Sequence, residues 1–375
     1  MSIQQDKKGR REFLGKESLG ALTVSTFLHG GSKISHAANG SLASDTQGNK
    51  RKVKICVEEH WRNNDVDEIT NKWRARTGYP PVIDPKSTPL VGPRIKDFEQ
   101  FRLPIMDELG IATQVLTTTS PGIQGVEDAS TAVVMAKKIN DALAEITNKY
   151  RGRFAAYAAL PTQDPKSAAN ELERAVTQLG LKGAMIFGHT NGEYLDGQKF
   201  WVLWERTEAL GVPIYLHPAE LPLGARTSYE GHPELLGPMW GWVVETATHA
   251  LRIVGNGVFD AFPKATLILG HLGESLPYLL GRLDEGYGGS FKAKNLKRLP
   301  SEYVKQNIVI TTSGEYHPEA MVCAVKALGA DRILFATDYP YAEPKVAIEE
   351  LERTPLSDSD KEKIYHLNAE RLLKL

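Results

Sequence analysis

The sequence predicts an α/β protein that folds as a single (β/α)8 TIM barrel. Eight short apolar runs have the composition of strands and alternate with helical patterns. They lie at 53–58, 112–117, 154–160, 182–187, 212–217, 265–270, 308–312 and 332–337. Between two of them, Asp164 is placed to cap a helix over 165–179. A final helix over 358–374 is expected to close the barrel, and no second domain is predicted.

Composition excludes several classes of protein. The chain has 375 residues, of which 41% are hydrophobic and 24% are charged, so it can bury a large core. A net charge of −1 gives no electrostatic reason to bind nucleic acid or an anionic membrane surface. No uninterrupted apolar run approaches the roughly 18 residues that a membrane span needs. Cys56 and Cys323 are the only cysteines, which argues against a disulfide framework and a thiolate zinc site.

The amino-terminal segment has the pattern of an export signal. Arg10 and Arg11 precede Phe-Leu and a modestly apolar stretch, and the small residues Ser35 and Ala37 follow at the spacing of a cleavage site after Ala37. We interpret 1–37 as a twin-arginine signal peptide and 38–51 as a flexible lead-in, with the barrel over 52–375. The expected location is the periplasm, or the cytoplasm if the segment is only a basic tail.

The ends of four predicted strands carry residues that can bind a metal ion. The stretch "KVKICVEEHW" (52–61) places Glu58 and His60 on one face of a strand and Glu59 on the other. Three later strand-like runs stop on His217, His271 and Asp338. The carboxyl ends of all strands meet at one mouth of such a barrel, so these side chains should converge. Imidazoles and carboxylates without cysteine fit Zn²⁺ or Mn²⁺.

Several segments together resemble the amidohydrolase superfamily, and within it the decarboxylases of dihydroxybenzoates. The similarity lies in "EEHW", "YAALPTQDP", "PIYLHP", "LILGHLGESLPYLLGRLD", "ITTSGEY" and "RILFATDYPY", and it extends from about residue 52 to the carboxyl terminus. The resemblance implies that one divalent metal ion is bound by Glu58, His60, His217 and Asp338. Related binuclear enzymes place a lysine at the end of strand 4, whereas Lys182 lies at its start, so a single ion is expected.

The same resemblance implies roles for the remaining site residues. Asp338 would protonate the ring carbon as a general acid, with His271 and Glu274 beside it. For substrate binding the resemblance implies Arg282, whereas His189 and Trp61 are predicted from their positions, after strand 4 and next to the ligands. The segment 62–92 differs from the related loop and is expected to shape the substrate pocket.

These features predict a carboxy-lyase whose partner is a small aromatic acid with an ortho-hydroxyl group. A second interpretation is a hydrolase of an ester, lactone or amide, with metal-bound water as nucleophile and Asp338 as general base. A third is a periplasmic binding protein without chemistry, which the complete ligand set disfavours. By analogy with similar barrels we expect a homodimer or homotetramer.

Overall fold

A computed structural model describes residues 53–79, 88–286 and 295–375. These residues belong to one compact unit. The predicted signal peptide (1–37) and lead-in (38–51) lie outside the described residues. Within the described ranges, no helix has both the length and the apolar character needed to cross a bilayer.

The strands are parallel and form two groups, the first of three strands and the second of six, within which each strand pairs with its neighbours in chain order. They are β1 (Lys54–His60), β2 (Ile111–Thr117), β3 (Phe154–Ala156), β4 (Ala158–Ala159), β5 (Ala184–Phe187), β6 (Ile214–His217), β7 (Leu267–Leu269), β8 (Ile308–Thr311) and β9 (Ile333–Leu334). β3 and β4 are two parts of the predicted third strand. The eight predicted strand positions are therefore confirmed.

Helices follow most of the strands, as the predicted alternation requires. They are α1 (Asn64–Thr77), α2 (Val91–Lys96), α3 (Leu103–Leu109), α4 (Ala129–Lys149), α5 (Pro165–Thr177), α6 (Trp201–Leu210), α7 (Gly241–Gly255), α8 (Val258–Ala261), α9 (His271–Glu274), α10 (Leu276–Gly286), α11 (Pro300–Asn307), α12 (Pro318–Leu328), α13 (Pro344–Arg353), α14 (Asp358–Glu362) and α15 (Asn368–Leu373). The Asp164 side chain accepts hydrogen bonds from the first turn of α5, as predicted.

Backbone hydrogen bonds join the two groups of strands into a ring. At Tyr157, between β3 and β4, the chain changes partners: Tyr157 N donates to Leu116 O at 3.0 Å, and the next amide donates to Gly183 O at 2.8 Å. At the other junction, Val57 N donates to Phe335 O at 3.0 Å. These bonds connect the first and last strands, which gives the TIM barrel that the sequence predicts.

Two predicted elements differ in detail. The eighth strand pairs only over Ile333–Leu334, because the Phe335 amide donates to Ile364 O at 2.9 Å and the Thr337 amide donates to the Glu59 carboxylate at 2.9 Å. The carboxyl-terminal helix contains a wider π-helical segment, Lys363–Leu367, between α14 and α15. Neither difference moves a predicted site residue away from its strand end.

The apolar core has two layers, one inside the barrel and one between the strands and the helices. The interior layer includes Ile55, Val309 and Leu334, and Ala369 and Leu373 of α15 pack against it. The terminal helix therefore covers the end of the barrel where the strands begin. This leaves the opposite end, where the strands stop, for the functional site.

Candidate metal centre

Four potential metal ligands converge at the open end of the barrel. Glu58 and His60 belong to β1, His217 ends β6 and Asp338 follows β9. One ligand atom from each lies within 4.8 Å of the others. His60 Nε2 is 3.0 Å from Asp338 Oδ1, and His217 Nε2 is 3.1 Å from Glu58 Oε1. The structure thus brings together the ligand set that the sequence predicted.

A register irregularity in β1 directs Glu58 into the centre. The pairing of β1 with β2 shifts between Cys56 and Glu59. Val57 packs in the barrel interior, and the next side chain, Glu58, also reaches the interior. Simple alternation would put these two neighbours on opposite faces, so the irregularity is what allows both to point inward.

Glu59 faces away from the ligands, as the sequence predicted. Its carboxylate accepts hydrogen bonds from the Thr337 hydroxyl at 2.8 and 2.9 Å and from Gln114 at 3.3 Å. Burial raises the pKa of Glu59 to about 8 despite the hydrogen bonds from Thr337. This residue joins β1 to the segment after β9 and takes no part in the ligand cluster.

Backbone carbonyls orient both histidine ligands. His60 Nδ1 lies 2.7 Å from Thr118 O, and His217 Nδ1 lies 2.7 Å from Pro218 O. Since a carbonyl can only accept, each Nδ1 carries the proton and each Nε2 presents a lone pair to the centre. Burial lowers the pKa of His217, which favours its neutral, ligating form. For His60 burial acts in the same direction, but Asp338 and Glu58 raise its pKa in the absence of a cation.

The two oxygens of the Glu58 carboxylate have different partners. Oε2 accepts hydrogen bonds from the hydroxyls of Tyr215, Thr311 and Ser313. Oε1 has no hydrogen-bond partner and faces the histidines. Burial acts to raise the pKa of Glu58, but His217 and the other nearby imidazoles hold it below its usual value, so the group is a carboxylate.

Unpartnered ligand atoms show that these residues fit a cation. Glu58 Oε1, His60 Nε2 and Asp338 Oδ1 are all buried without a hydrogen-bond partner. Burying such atoms is costly unless something compensates them. Two imidazole nitrogens and two carboxylate oxygens suit one Zn²⁺ or Mn²⁺ ion. The predicted single divalent cofactor therefore agrees with the structure.

His271 and Glu274 lie next to the ligands in α9, which is a single left-handed turn and not a right-handed helix. Residues 271–275 all have positive φ, with values of 49°, 51°, 78°, 53° and 68°. His271 Nδ1 is 2.7 Å from Glu274 Oε1, and His271 Nε2 is 3.8 Å from Glu58 Oε1. Burial opposes protonation of His271, but Glu274 and the other carboxylates raise its pKa to about 10 in the absence of a cation. The turn thus holds a partly buried imidazole, paired with a buried carboxylate, beside the centre.

Gly314 is a site residue that the sequence did not reveal, although its segment "ITTSGEY" contributed to the family resemblance. It has a φ of 65°, and a Cβ atom there would lie 2.8 Å from His271 Cδ2 and 3.8 Å from Asp338 Oδ2. Only a residue without a side chain allows the imidazole to occupy its position. Its partners come from distant parts of the chain, so no local signal identified it.

A cavity of about 1150 Å³ opens over the ligands. Its lining includes His60, His217, His271, Glu274 and Asp338. The segment that was expected to shape the pocket contributes Arg62, Arg74, Thr88, Pro89, Val91 and Gly92. Pocket and ligand cluster are therefore one site.

The three predicted substrate-binding residues lie elsewhere in this chain. Trp61 is 5% exposed and packs in the core between strands and helices. His189 Nδ1 accepts a hydrogen bond from Gly192 N at 3.0 Å, which closes a local loop. Arg282 is exposed on α10. None of the three belongs to the described lining of the cavity, so their substrate roles stay predictions.

Lys182 occupies the position that the sequence assigned to it, and His249 is buried in a helix. Lys182 lies before β5, and its ammonium donates to Lys374 O at 2.9 Å, at the opposite end of the barrel from the ligands. His249 is 1% exposed in α7, and its Nε2 accepts a hydrogen bond from Leu195 N at 2.8 Å. Lys182 is thus placed away from the ligands, and His249 is a packed residue.

The fold and the site define a TIM-barrel enzyme with one metal centre of mixed histidine and carboxylate ligands. The pattern of the family described as amidohydrolase matches residues 60–375. The chain belongs to this family.

Relatives within this family include named decarboxylases. A γ-resorcylate decarboxylase of Polaromonas sp. (strain JS666 / ATCC BAA-500) is 39% identical over 331 residues, covering 86% of this chain and 98% of the relative. A structure of 2,6-dihydroxybenzoate decarboxylase complexed with 2,6-dihydroxybenzoate has a TM-score of 0.79 at 36% identity, covering 86% of this chain and all (100%) of the other. A dihydroxybenzoic acid decarboxylase from Polaromonas sp. JS666, with bound manganese and the inhibitor 2-nitroresorcinol, has a TM-score of 0.80 at 38% identity, covering 86% and 97%.

Proposed function

We propose that this protein is a metal-dependent, nonoxidative decarboxylase of a hydroxylated aromatic carboxylic acid. The observation that carries the proposal is the convergence of Glu58, His60, His217 and Asp338, with unpartnered ligand atoms, beneath a cavity of substrate size. The decarboxylase relatives, with dihydroxybenzoate or manganese in their structures, support it. The enzyme is accordingly a carbon–carbon lyase that releases CO₂.

The residues of the centre are suited to hold the cofactor. His60 and His217 offer Nε2, and Glu58 and Asp338 each offer one carboxylate oxygen. A divalent ion held there would act as a Lewis acid toward the carboxylate and phenolic oxygens of the substrate. Tyr215, Thr311 and Ser313 fix the Glu58 carboxylate from behind.

The reaction requires a proton at the ring carbon that carries the carboxylate. Direct cleavage would leave an aryl carbanion, so protonation precedes loss of CO₂. Asp338, which lines the cavity at the ligand cluster, delivers this proton as general acid. The bond to the carboxylate then breaks, its electron pair restores the aromatic ring, and CO₂ leaves. His271, whose Nδ1 lies 2.7 Å from Glu274 Oε1, helps to set the protonation state of Asp338.

A panel of hydroxybenzoates tests the proposal. Protein loaded with Mn²⁺ or Zn²⁺ is offered 2,6- and 2,3-dihydroxybenzoate, and CO₂ and the phenolic product are both quantified. We expect stoichiometric CO₂ and phenol, loss of activity with a chelator and recovery when metal is restored. If no acid of the panel releases CO₂ and a test lactone or ester is hydrolysed, the proposal is contradicted and the hydrolase interpretation is favoured.

Export by the twin-arginine route is part of the proposal. It rests on Arg10, Arg11 and the cleavage-like sequence that ends at Ala37. When the full-length chain is expressed and the cells are fractionated, the processed protein should appear in the periplasmic fraction. Replacement of both arginines with lysine should leave the protein in the cytoplasm, and an unchanged distribution would refute the export signal.

We also propose assembly as a homodimer or homotetramer. Large apolar side chains are exposed just before α7 and on α10: Met239 is 70% exposed, Trp240 is 53% exposed and Tyr278 is 80% exposed. Such a group of exposed apolar side chains is typical of a surface that another subunit covers. Light scattering of the purified protein gives the mass, and a monomer at micromolar concentration would contradict the proposal.

A further inference from the structure

Two arginines from the segment after β1 line the active-site cavity. Arg62 precedes α1, and Arg74 lies in the last turn of the same helix. The Nε atom of each is buried without a hydrogen-bond partner. The two guanidinium groups are close enough for Arg62 to lower the pKa of Arg74, after the larger effect of burial. The cavity thus contains two neighbouring cations in addition to the metal centre.

The charge of Arg74 is not compensated by a direct partner. Arg62 forms an ion pair with Asp67 at 2.8 Å, but the Arg74 guanidinium makes no ion pair or hydrogen bond within the described ranges. The carboxylate that acts on Arg74 electrostatically is Glu220, and this group accepts its hydrogen bond from Ser120 at 2.8 Å. A partly buried guanidinium without a partner is unfavourable unless an anion reaches it.

Tyr341 connects these cations to the metal centre. Its ring centroid is 5.1 Å from that of the ligand His60. Its hydroxyl interacts electrostatically with Arg62, Arg74 and Asp338. All these residues line one cavity, so a molecule at the ligands can extend past Tyr341 toward the arginines.

Two acidic residues that line the cavity already have partners of their own, whereas Glu319 of α12 is exposed to solvent. Glu274 is 2.7 Å from His271, and Glu315 is 2.9 Å from His317. The volume of about 1150 Å³ exceeds the roughly 300–1,000 Å³ typical of ligand pockets, which leaves space for a substituent beyond one hydroxylated ring. Arg74 therefore lines, as an unpaired cation, a cavity with space for more than one hydroxylated ring.

We propose that Arg74, with Arg62 beside it, binds a second carboxylate on the aromatic substrate. This inference rests on the proposed decarboxylation and narrows its substrate class to hydroxybenzene dicarboxylic acids. The carboxylate that is lost lies at the metal ligands, within reach of Asp338, and the second one meets the guanidinium groups beyond Tyr341. A planar guanidinium binds a carboxylate through two parallel hydrogen bonds, which is why arginine suits this position.

Matched variants of one helix test the inference. Arg74→Gln removes the unpaired cation, whereas Arg76→Gln removes an exposed arginine that is paired with Glu127 at 2.9 Å. Both are compared with the parent protein on 4-hydroxyisophthalate and 2-hydroxyterephthalate, and on the monocarboxylate 2,6-dihydroxybenzoate. Thermal unfolding of both variants establishes that α1 remains folded.

We expect the parent protein to favour the dicarboxylates. Arg74→Gln should reduce the ratio of kcat/KM for dicarboxylate over monocarboxylate by about 10- to 100-fold, mainly through KM, because it removes charge-assisted hydrogen bonds. Arg76→Gln should leave the ratio unchanged. Equal losses on both kinds of substrate, or no loss with Arg74→Gln, would overturn the inference.

A binding measurement separates this inference from the proposed reaction. Isophthalate and benzoate lack the ortho-hydroxyl and serve as non-reacting probes in calorimetry with the metal-loaded protein. Tighter binding of isophthalate that disappears in Arg74→Gln supports the second carboxylate site even if no acid is decarboxylated. If 2,6-dihydroxybenzoate is decarboxylated while isophthalate binds no better than benzoate, the inference fails and the reaction stands.

Discussion

Gly314→Ala tests whether the position of His271 matters for turnover. An added Cβ would lie 2.8 Å from His271 Cδ2, whereas ordinary contacts begin at 3.4 Å, so the imidazole must move by about 0.6 Å. That movement disturbs the 2.7 Å pair with Glu274 and the approach to Asp338. Misplacement of a catalytic group by 1 Å can cost about 100-fold in rate, so we expect a loss in kcat of about 10-fold or more.

Gly152→Ala is the matched control for this variant. Gly152 has a φ of 80°, similar to the 65° of Gly314, but nothing lies within 4 Å of its added Cβ. Both variants should lose about 1 kcal/mol of unfolding free energy, because alanine disfavours positive φ. Only Gly314→Ala should lose activity, and its metal content should stay normal because His271 is outside the ligand set. Equal kcat in the two variants would refute the reasoning.

Three further predictions concern the ligands and a buried histidine. Asp338→Asn should abolish CO₂ release while circular dichroism shows an intact barrel, and retained turnover would refute its role as acid. Glu58→Gln and His217→Ala should each lower bound metal by elemental analysis, and full occupancy in both would contradict the ligand set. Burial lowers the pKa of His249 to about 3, below its unfolded value of about 6.5, so stability should fall by roughly 2 kcal/mol from pH 7 to pH 5. His249→Gln keeps an acceptor for Leu195 N, and urea unfolding of this variant should show a smaller loss of stability between pH 7 and pH 5. An equal loss would show that His249 is not the cause of the pH dependence.

The ligand set could be predicted because a parallel barrel turns strand order into spatial proximity. Glu58, His60, His217 and Asp338 each follow an apolar run, so their convergence needed only the fold and the position of each strand end. The irregularity of β1 at Cys56–Glu59 could not be predicted, because it depends on how β1 pairs with β2. The predicted facing of Glu58 was right although the interior packing of Val57 does not follow simple alternation.

The substrate-facing residues were harder to predict because they depend on how a long segment folds over the barrel mouth. The sequence marked 62–92 as distinctive, but nothing in it showed that Arg74 would face the cavity while Arg76 would face solvent. Arg282 stands on the exposed face of α10, and Trp61 is directed into the core. Helical spacing indicates which residues share a face, but it does not show which neighbour that face meets.

The left-handed turn at 271–275 has a consequence for how the enzyme loses activity. Four of its residues are not glycine (His271, Leu272, Glu274 and Ser275), and each costs about 1–2 kcal/mol in this conformation. Their sum of roughly 4–8 kcal/mol is comparable with the net stability of a whole domain, about 5–15 kcal/mol. Among the parts of the site, this turn would therefore release the most free energy if its residues left the left-handed conformation. On heating, inactivation should precede the loss of helical structure, so that a barrel with intact secondary structure has already lost its catalytic geometry.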